Sequence, residues 1–297
     1  VEVQVVVGDD DEAGGEAPGL GVEERQAREE GLAAAVAAAQ ELEGALALLR
    51  QGELAVDLAP LSVDADGEGL EAAFGDQLTT FVNNTTSAKN TVAFGEKEFV
   101  LRGPGFIRDQ LGDYVYRISA NSFFQTNTAP AAKLYTLILE QARLKPSDVV
   151  YDLFCGTGSI TLFASGHCAK VLGVELVESS VRDARENAKR HGVENCEFIQ
   201  LDLKDFRKIE PELNAFGAPD VVITDPPRAG MNPKAVKMLI EIAPPVIVYV
   251  SCNPASLARD GQMLREEGGY QLVSCQPIDM FPQTNHVESV ARFERAD

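Results

Sequence analysis

From about residue 130 onward, short apolar runs alternate with helix-forming stretches, and this rhythm restricts the possible folds more than any other feature of the chain. The apolar runs lie at 149–154, 171–175, 197–199, 221–224, 246–250 and near 270–275. Helices are predicted at about 131–142 and 179–191. Strands and helices that alternate at this spacing predict a mostly parallel sheet with helices on both faces, which is the α/β class.

A glycine turn, Asp152-Leu153-Phe154-Cys155-Gly156-Thr157-Gly158, follows the first of these strands. Gly156 and Gly158 let the backbone approach a nucleotide cofactor, and Glu175, about 20 positions on, is placed to bind ribose hydroxyls. A dinucleotide fingerprint requires glycine at position 161, where this chain has threonine. The turn therefore favours S-adenosyl-L-methionine over NAD, with a ligand-free tight turn as the alternative. Asp202, after the next strand, is placed either to approach the adenine or to cap a helix.

Two loops after later strands carry candidate catalytic and substrate-binding residues. Asp225-Pro226-Pro227 is a stiff loop that presents the Asp225 carboxylate to a flat, amide-like ring, although a simple strand-ending turn is the alternative. Cys252 stands between an apolar strand and Asn253-Pro254, in the zone where doubly wound sheets bind ligands. Its thiolate is a candidate nucleophile, and Glu288, in an irregular run near the C-terminus, is the candidate base. Arg228 and Arg259 are candidates for phosphate contacts or for structural ion pairs.

The remaining cysteines, at 155, 168, 196 and 275, are predicted to be inert core thiols. With no C-x-x-C pair among the five cysteines, neither a disulfide framework nor a zinc or iron–sulfur site is expected, and no other metal site is indicated. This pattern fits an intracellular, reducing compartment, either the cytoplasm or an organelle. No apolar run approaches the roughly 18 residues of a membrane helix, and no secretory signal is visible. No membrane association is expected.

Charge is distributed unevenly along the 297 residues. Residues 1–75 carry 18 acidic and 3 basic residues, whereas residues 76–297 carry 28 and 23. The net charge of −20 therefore belongs mostly to the N-terminal region. Binding of a polyanion requires a local basic patch rather than a basic total, so nucleic acid is still a possible partner. Within the first 102 residues we predict a strand at 1–7, a loop at 8–15, a helix-favouring segment at 22–50 and short strands across 79–102.

Five motifs, in order from about Gln77 to the end, resemble those of the RNA (uracil-5-)-methyltransferase family, which makes 5-methyluridine in tRNA and ribosomal RNA. They are Phe-Phe-Gln-Thr-Asn at 123–127, the glycine turn at 152–158, Asp-Pro-Pro-Arg-Ala-Gly at 225–230, Ser-Cys-Asn-Pro at 251–254 with Ala-Arg-Asp at 258–260, and the run at 279–288. Carbon 5 of uracil is a poor nucleophile, so methylating it requires prior attack on carbon 6 by a thiolate and later removal of the carbon 5 proton. Cys252 and Glu288 suit these two tasks.

The resemblance implies a Rossmann-like class I methyltransferase fold with a smaller N-terminal α+β region. It implies S-adenosyl-L-methionine as the cofactor and structured RNA, tRNA or rRNA, as the partner, with no obligate protein partner. Cys252 is then the nucleophile and Glu288 the proton acceptor. The residues implied around the cofactor and the uracil are Gln125, Phe154, Ser159, Glu175, Asp202 and Asp225. Ser159 occupies a position where members often carry asparagine.

Two features of the family, a small β-barrel RNA-binding domain and a four-cysteine cluster site, are not recognisable in the sequence. We predict three regions: an acidic Ala/Glu-rich region at 1–75, a β-rich substrate-binding region at 76–127 and a methyltransferase domain at 128–297. Two rival functions remain open at this point. A cytosine-5 RNA methyltransferase shares the covalent thiolate but usually pairs two cysteines, and an RNA-binding protein could retain the fold without catalysis.

Overall fold

The computed structural model describes residues 2–7, 78–85, 97–209, 213, 215–282, 284 and 287–295. The chain divides into two compact units, one of residues 1–85 and 97–105 and the other of residues 86–96 and 106–297. The loop predicted at 8–15, the helix-favouring segment at 22–50 and the part of the predicted 79–102 strand region at 86–96 lie outside the described residues. The three-region division at 75 and 127 stays a prediction.

The first unit contains a three-stranded antiparallel sheet, with β2 between β1 and β3. Its strands are β1 (Glu2–Val7), β2 (Leu78–Thr85) and β3 (Lys97–Arg102). The predicted strand at 1–7 is confirmed. At the end of β3, the Thr80 hydroxyl donates to the Arg102 carbonyl at 2.9 Å and accepts from the Gly105 N–H at 2.9 Å. These two bonds fasten the turn after β3 to β2.

The second unit begins with an antiparallel hairpin and continues as alternating strands and helices. The hairpin consists of β4 (Phe106–Leu111) and β5 (Tyr114–Ser119). The following elements are α1 (Thr128–Ala142), β6 (Val149–Leu153), α2 (Ser159–Ser165), β7 (Lys170–Glu175), α3 (Glu178–Arg190), β8 (Cys196–Gln200), a 3₁₀ helix (Leu203–Ile209), β9 (Val221–Thr224), α4 (Pro233–Ile242), β10 (Val246–Ser251), α5 (Pro254–Gly268), β11 (Tyr270–Ile278) and β12 (Glu288–Arg295).

Seven of these strands form one sheet in the order β11-β12-β10-β9-β6-β7-β8. The strands from β10 to β8 are parallel, while β12 runs antiparallel to both β10 and β11. The predicted Rossmann-like methyltransferase fold is confirmed. The hairpin β4–β5 lies within the region predicted to be β-rich, but its two strands were not predicted individually, and neither was the antiparallel β12.

Helices cover both faces of this sheet, so the central strands are buried on both sides and consist of nearly continuous apolar residues. Neighbouring residues of β6 illustrate the division, since Val150 packs on one face and Tyr151 on the other. Buried helix residues on the first face, from α1 to α3, include Leu134, Ile138, Leu162 and Ala184. Those on the second face, from α4 and α5, include Val236, Leu239, Leu257 and Leu264.

The edge of the hairpin is bound by polar side chains of α3. Residues four positions apart on the helix hydrogen-bond the backbone of alternate residues on β5, at 2.7–3.1 Å. The pairs are Asp183 with Ser119, Asn187 with Arg117, and His191 with Val115. Four helical residues rise about 6 Å, and two strand residues rise about 6.6 Å, so the two repeats match. The helix thus satisfies backbone groups of β5 as a neighbouring strand would.

Candidate active site

The loops that carry the predicted site residues leave the carboxyl ends of the parallel strands. Leu153 of β6, Thr224 of β9 and Tyr249 of β10 lie in register across three neighbouring strands. The loops that follow these strands therefore start at nearly the same level. Open α/β sheets bind their ligands at this edge.

Cys252 and Glu288 meet at this edge because β12 is antiparallel to β10. Ser251, the last residue of β10, pairs with Ser289 of β12, so Cys252 follows at the position beside Glu288. Glu288 is 8% exposed, whereas Cys252 is more accessible. The register therefore brings the predicted nucleophile and the predicted base together from distant parts of the chain.

The surroundings of Cys252 favour the neutral thiol in the protein without ligands. Burial raises the pKa of the thiol most, and the carboxylates of Glu288 and Asp225 raise it further. The Arg228 guanidinium acts in the opposite direction and lowers this pKa. Because only the thiolate is a strong nucleophile, the balance of charge around Cys252 controls how much reactive sulfur is present.

Three carboxyl groups near this edge have raised pKa values. Burial raises the pKa of Asp225 to about 7, and the negative charges of Glu288 and Asp152 contribute. Burial also raises the pKa of Asp152 to about 7, against the effect of a 2.6 Å hydrogen bond from the Thr161 hydroxyl. Burial raises the pKa of Glu288 as well. Perturbed carboxyl groups gathered at one sheet edge are typical of a functional site.

Asp260 fastens the loop after β9 to helix α5. Its carboxylate is fully buried and accepts hydrogen bonds from the Met231 N–H at 2.7 Å and the Tyr249 hydroxyl at 2.6 Å. Arg259 pairs with the other oxygen of Asp260 and also donates to the Met231 carbonyl at 3.1 Å. Of its two predicted roles, Arg259 therefore has at least the structural ion pair.

Gly230 lies where this loop passes closest to α5. Its φ angle is +79°, and a Cβ at this position would lie 2.5 Å from Arg259 Nη2 and 2.8 Å from Asp260 Oδ2. Its N–H donates to the Pro227 carbonyl at 2.7 Å, which closes a tight turn. Both the backbone conformation and the lack of space therefore require glycine.

Asn253, the residue after the candidate nucleophile, joins the two loops. Its side-chain Nδ2 donates to the Arg228 carbonyl at 3.2 Å. Its Oδ1 accepts from the Ala255 N–H at 3.1 Å and so caps α5. The Ser251 hydroxyl accepts from the Asn253 N–H at 3.1 Å. The conformation of the Cys252 loop is therefore fixed on both sides of the cysteine.

The glycine turn after β6 holds an unusual backbone conformation. Phe154 has a φ of +65°, which is strained for a residue with a side chain, and Gly158 has a φ of +80°. A Cβ at Gly158 would lie 3.0 Å from the Phe198 ring and 3.1 Å from Ala184 Cβ. Strain of this kind costs about 1–3 kcal/mol and concentrates at ligand sites. The turn matches the place where the sequence predicts a cofactor.

Glu175 at the end of β7 is held beside this turn by backbone groups. Its Oε2 accepts from the Gly156 N–H at 3.1 Å, and its Oε1 accepts from the N–H groups of Leu176 at 2.7 Å and Val177 at 2.9 Å. A carboxylate oxygen can accept more than one hydrogen bond, so Glu175 has acceptor capacity left for a ligand. The predicted contact with ribose hydroxyls is therefore compatible with this arrangement.

The segment at 122–127 passes over the glycine turn. Gln125 is 7% exposed, and the carbonyl oxygen of Phe123 lies 3.4 Å from the position that a Cβ would take at Gly156. Asn127 Nδ2 donates to the Met280 carbonyl at 2.9 Å. This bond ties the segment to the run that leads toward β12.

Ser159, the first residue of α2, hydrogen-bonds the hydroxyl of Tyr135 from α1 at 2.8 Å. Burial raises the pKa of Tyr135, and the charges of Asp225 and Asp152 raise it further. The Tyr135 hydroxyl therefore interacts electrostatically with the carboxylates of Asp225 and Asp152.

Asp202 follows β8 and binds the start of the 3₁₀ helix. Its Oδ1 accepts from the Lys204 N–H at 3.1 Å, and its Oδ2 forms a 2.7 Å ion pair with the Lys204 ammonium. The capping role that the sequence allowed is confirmed. The contact between Asp202 and an adenine stays a prediction.

A family model of tRNA (uracil-5-)-methyltransferases matches residues 87–296, which is more than two thirds of the chain. The chain belongs to this family. The predicted family resemblance is thus confirmed.

Two relatives show how much of the chain is shared with other members of the family. An uncharacterized RNA methyltransferase of Chlorobaculum tepidum is 52% identical over 230 residues, which are 77% of this chain and 47% of that protein. An uncharacterized RNA methyltransferase of Clostridium acetobutylicum is 41% identical over 216 residues, which are 73% and 46%. The chain spans about half the length of the curated relatives it matches.

A solved structure, the tRNA (uracil-54, C5)-methyltransferase of Pyrococcus abyssi in complex with S-adenosyl-L-homocysteine, is 33% identical to this chain. The match covers 73% of this chain and 51% of that one, with a TM-score of 0.56. S-adenosyl-L-homocysteine is what remains when S-adenosyl-L-methionine gives up its methyl group. The cofactor prediction is therefore confirmed at the level of the family.

The residues of this chain around the glycine turn fit that cofactor. Two buried atoms there, Asp152 Oδ1 and Thr157 Oγ1, have no hydrogen-bond partner within the described part of the chain. Buried polar atoms are normally paired, so both are available to a ligand or a water. S-adenosyl-L-methionine carries a sulfonium and an ammonium group, and the carboxylates of Asp152, Glu175 and Asp225 suit a cation.

Three polar residues in or beside the site were not among the candidates predicted from the sequence: Asp152, Tyr135 and Asp260. Asp152 had a signal, since it is an acid inside an apolar strand. Tyr135 and Asp260 lie on helices, and only the folded structure shows that their side chains turn toward the site or its loops.

Of the other cysteines predicted to lie in the core, Cys155 and Cys168 are buried and Cys196 is partly buried. Burial raises the pKa of Cys155 well above its usual value, that of Cys168 to about 11 and that of Cys196 to about 12. Cys275 is exposed rather than part of the core, because it lies on β11 at the edge of the sheet.

The described residues also bear on membrane and metal binding. None of their helices combines the length and hydropathy needed to cross a membrane. The same residues contain no cluster of three or more His, Cys, Asp or Glu side chains that could hold a metal ion.

Proposed function

We propose that this methyltransferase transfers a methyl group from S-adenosyl-L-methionine to carbon 5 of a uridine in tRNA or rRNA, through a covalent adduct with Cys252. The observation that carries the proposal is the position of Glu288 beside Cys252, at the sheet edge that also holds Asp225. A nucleophile and a separate base are the two groups that this reaction requires. The family match and the uracil-specific relative from Pyrococcus abyssi support uracil as the target.

The first step is the addition of the Cys252 thiolate to carbon 6 of the uracil. The new S–C6 bond moves the electron pair of the C5–C6 double bond toward the carbonyl at carbon 4, which makes carbon 5 nucleophilic. The thiol must lose its proton first, and Arg228 favours this loss because its positive charge lowers the thiol pKa.

Glu288 completes the reaction by removing a proton. When bound, S-adenosyl-L-methionine supplies an electrophilic methyl group, which is its contribution to the chemistry. Carbon 5 then carries both a hydrogen and a methyl group. Glu288 takes the proton, the electron pair restores the C5–C6 double bond, and the thiolate leaves. A raised pKa suits this carboxylate to act as a base near neutral pH.

Asp225 orients the uracil in this proposal. Its stiff loop, fixed through Gly230 and Asp260, holds the carboxyl at the sheet edge next to the cysteine loop. When ionised, the carboxylate can accept a hydrogen bond from N3–H of uracil, which cytosine lacks. A pKa of about 7 leaves both forms of Asp225 populated at neutral pH.

The uridine must leave its stack for carbon 6 to reach Cys252. Enzymes that modify a base act on unpaired nucleotides or rotate the target out of the helix. Glu288 is almost fully buried, so the base has to enter between the loops rather than lie across them.

The proposal is tested with tRNA and rRNA transcripts that contain 5-fluorouridine, incubated with the protein and S-adenosyl-L-methionine. Fluorine replaces the hydrogen that Glu288 removes, so a methylated protein–RNA adduct should persist on a denaturing gel and appear in the mass spectrum. Cys252→Ala should abolish the adduct, and Cys275→Ser should leave it unchanged. An adduct with 5-fluorocytidine transcripts and none with 5-fluorouridine would instead identify the cytosine-5 reaction.

A further inference from the structure

Two segments, which contain the loops after β9 and β10, are basic, although the chain as a whole is strongly acidic. Residues 226–240 and 251–259 together contain no Asp or Glu, while the chain carries 46 acidic residues in total. The cations of the two segments are Arg228, Lys234, Lys237 and Arg259. Four cations in two segments without an acidic residue favour local binding of an anion, even in a chain with net charge −20.

The two segments adjoin each other in the fold. Asn253 Nδ2 bonds the carbonyl of Arg228 at 3.2 Å, and Arg259 Nη2 bonds the carbonyl of Met231 at 3.1 Å. Met231 immediately precedes Asn232, the residue that caps α4. The loop that carries Arg228 and leads into α4 therefore adjoins the Cys252 loop and the start of α5. We call this region, defined by Arg228, Lys234, Lys237 and Arg259, the basic surface.

The cations of the basic surface are accessible. Arg228, Lys234 and Lys237 are exposed, and the Arg259 side chain is half exposed. Lys234 and Lys237 are three residues apart on α4 and project from the same side of the helix. The nearest acid farther along this side, Glu241, is paired with Arg207 at 2.7 Å.

We propose that the basic surface binds the phosphate backbone of the RNA strand that carries the target uridine. In this proposal Lys234 and Lys237 contact phosphates, and neither takes part in the reaction at the base. The inference rests on the proposed function only for its choice of RNA as the partner. Exposed lysines and arginines hold a nucleic acid by neutralising phosphates, without reading its sequence. The location beside Cys252 fits the phosphates that flank a base displaced into the site.

The binding test uses a Lys234→Glu/Lys237→Glu double variant and an unmodified tRNA transcript. Both the variant and the reference protein carry Cys252→Ala, so that no covalent adduct forms. We expect the variant to bind the transcript at least about tenfold more weakly at 50 mM salt. We also expect the slope of log K against log salt to become shallower by about 1.4–1.8, because two phosphate contacts are lost.

A Lys189→Glu/Arg265→Glu double variant is the matched control. Both residues are exposed, lie in the last turns of α3 and α5, and change the net charge by the same amount. We expect its affinity and salt slope to stay close to those of the reference protein. Thermal melting of each variant confirms that it is folded. Equal losses in the two double variants, or an unchanged salt slope in Lys234→Glu/Lys237→Glu, would overturn the proposal.

This test is independent of the chemistry at carbon 5. If the methylated product is not 5-methyluridine, the binding difference between the two double variants still decides whether the basic surface holds RNA. If 5-methyluridine is formed and both double variants bind alike, the surface assignment fails while the proposed function stands. With Cys252 restored, Lys234→Glu/Lys237→Glu should raise KM for RNA and leave kcat at saturating RNA nearly unchanged.

Discussion

Ser251 of β10 and Ser289 of β12 are paired across two antiparallel strands, and this register sets Cys252 beside Glu288. Because β12 runs against the parallel strands, its beginning rather than its end lies at the carboxyl edge of the sheet. A residue near the C-terminus of the chain is thereby delivered to a loop that leaves the middle of the sheet. The proposed nucleophile, Cys252, and the proposed base, Glu288, are therefore positioned by two strands that are hydrogen-bonded to each other.

Glu288→Gln should separate adduct formation from its breakdown. The amide cannot accept the carbon 5 proton, so the protein–RNA adduct should accumulate on ordinary uridine transcripts while turnover falls by about 10²–10⁴-fold. Denaturing gels report the adduct, and release of tritium from 5-tritiated uridine reports the proton removal. Glu267→Gln, which removes an equal charge at an exposed site on α5, should keep normal turnover. Normal tritium release by Glu288→Gln would rule out its role as the base.

Reactivity of Cys252 should respond in opposite directions to its two charged neighbours. Glu288 raises the thiol pKa and Arg228 lowers it. In a Cys275→Ser background, the rate of alkylation by iodoacetamide at pH 8 should therefore rise in Glu288→Gln and fall in Arg228→Gln, each by about two- to tenfold. Mass analysis of the peptide that contains Cys252 measures this rate. Rates that change in the same direction would contradict the assigned charge balance.

Asp225→Asn should become more stable relative to the wild type as the pH rises. Burial raises the pKa of Asp225 from 3.8 to about 7, so the folded protein binds more protons than the unfolded chain between these values. The stability contributed by this group is present below about pH 4 and is lost as the pH rises through about 7. Asparagine imitates the neutral carboxyl and does not titrate.

The measurement is Tm from pH 5 to pH 8 for cofactor-free wild type and Asp225→Asn. The difference, variant minus wild type, should increase over this range. Glu267→Gln in the same scan corrects for the altered net charge. A difference that is constant or decreases with pH would show that Asp225 is not held with a raised pKa.

The central strands could be predicted from the sequence because burial on both faces leaves an apolar run. The four residues of β9, for example, are all buried. The same rule failed for β12, whose residues Glu288–Arg295 mix charged and apolar side chains although most of them are buried. This segment becomes a strand because β10 and β11 lie on either side of it. Pairing across the sheet therefore decided its structure, not its own composition.

The site could be predicted where chemistry and strand ends coincide, as at Asp225 and Cys252. Asp260 gave no such signal, because a carboxylate on a helix is usually exposed, and only the folded chain brings the Met231 N–H and the Tyr249 hydroxyl to it. The strands of the hairpin β4–β5 were also not predicted individually. Backbone groups of β5 are hydrogen-bonded by side chains of α3, and this contact is visible only in the folded chain.

Asn187 should be required both for stability and for cofactor binding. It accepts from the Arg117 N–H at 2.7 Å and donates to the carbonyls of Arg117 and Thr157 at 3.1 Å, so it joins the hairpin to the glycine turn. Asn187→Ala leaves these backbone groups without their partners and should lower the free energy of unfolding by about 2–4 kcal/mol. Urea unfolding measures this loss, and calorimetry should show weaker binding of S-adenosyl-L-homocysteine because the turn at Thr157 is no longer held. Glu186→Ala, an exposed neighbour on α3, should change the unfolding free energy by no more than about 0.5 kcal/mol. If Asn187→Ala behaved like this control, the hydrogen bonds of Asn187 would not be needed to hold the hairpin against the glycine turn.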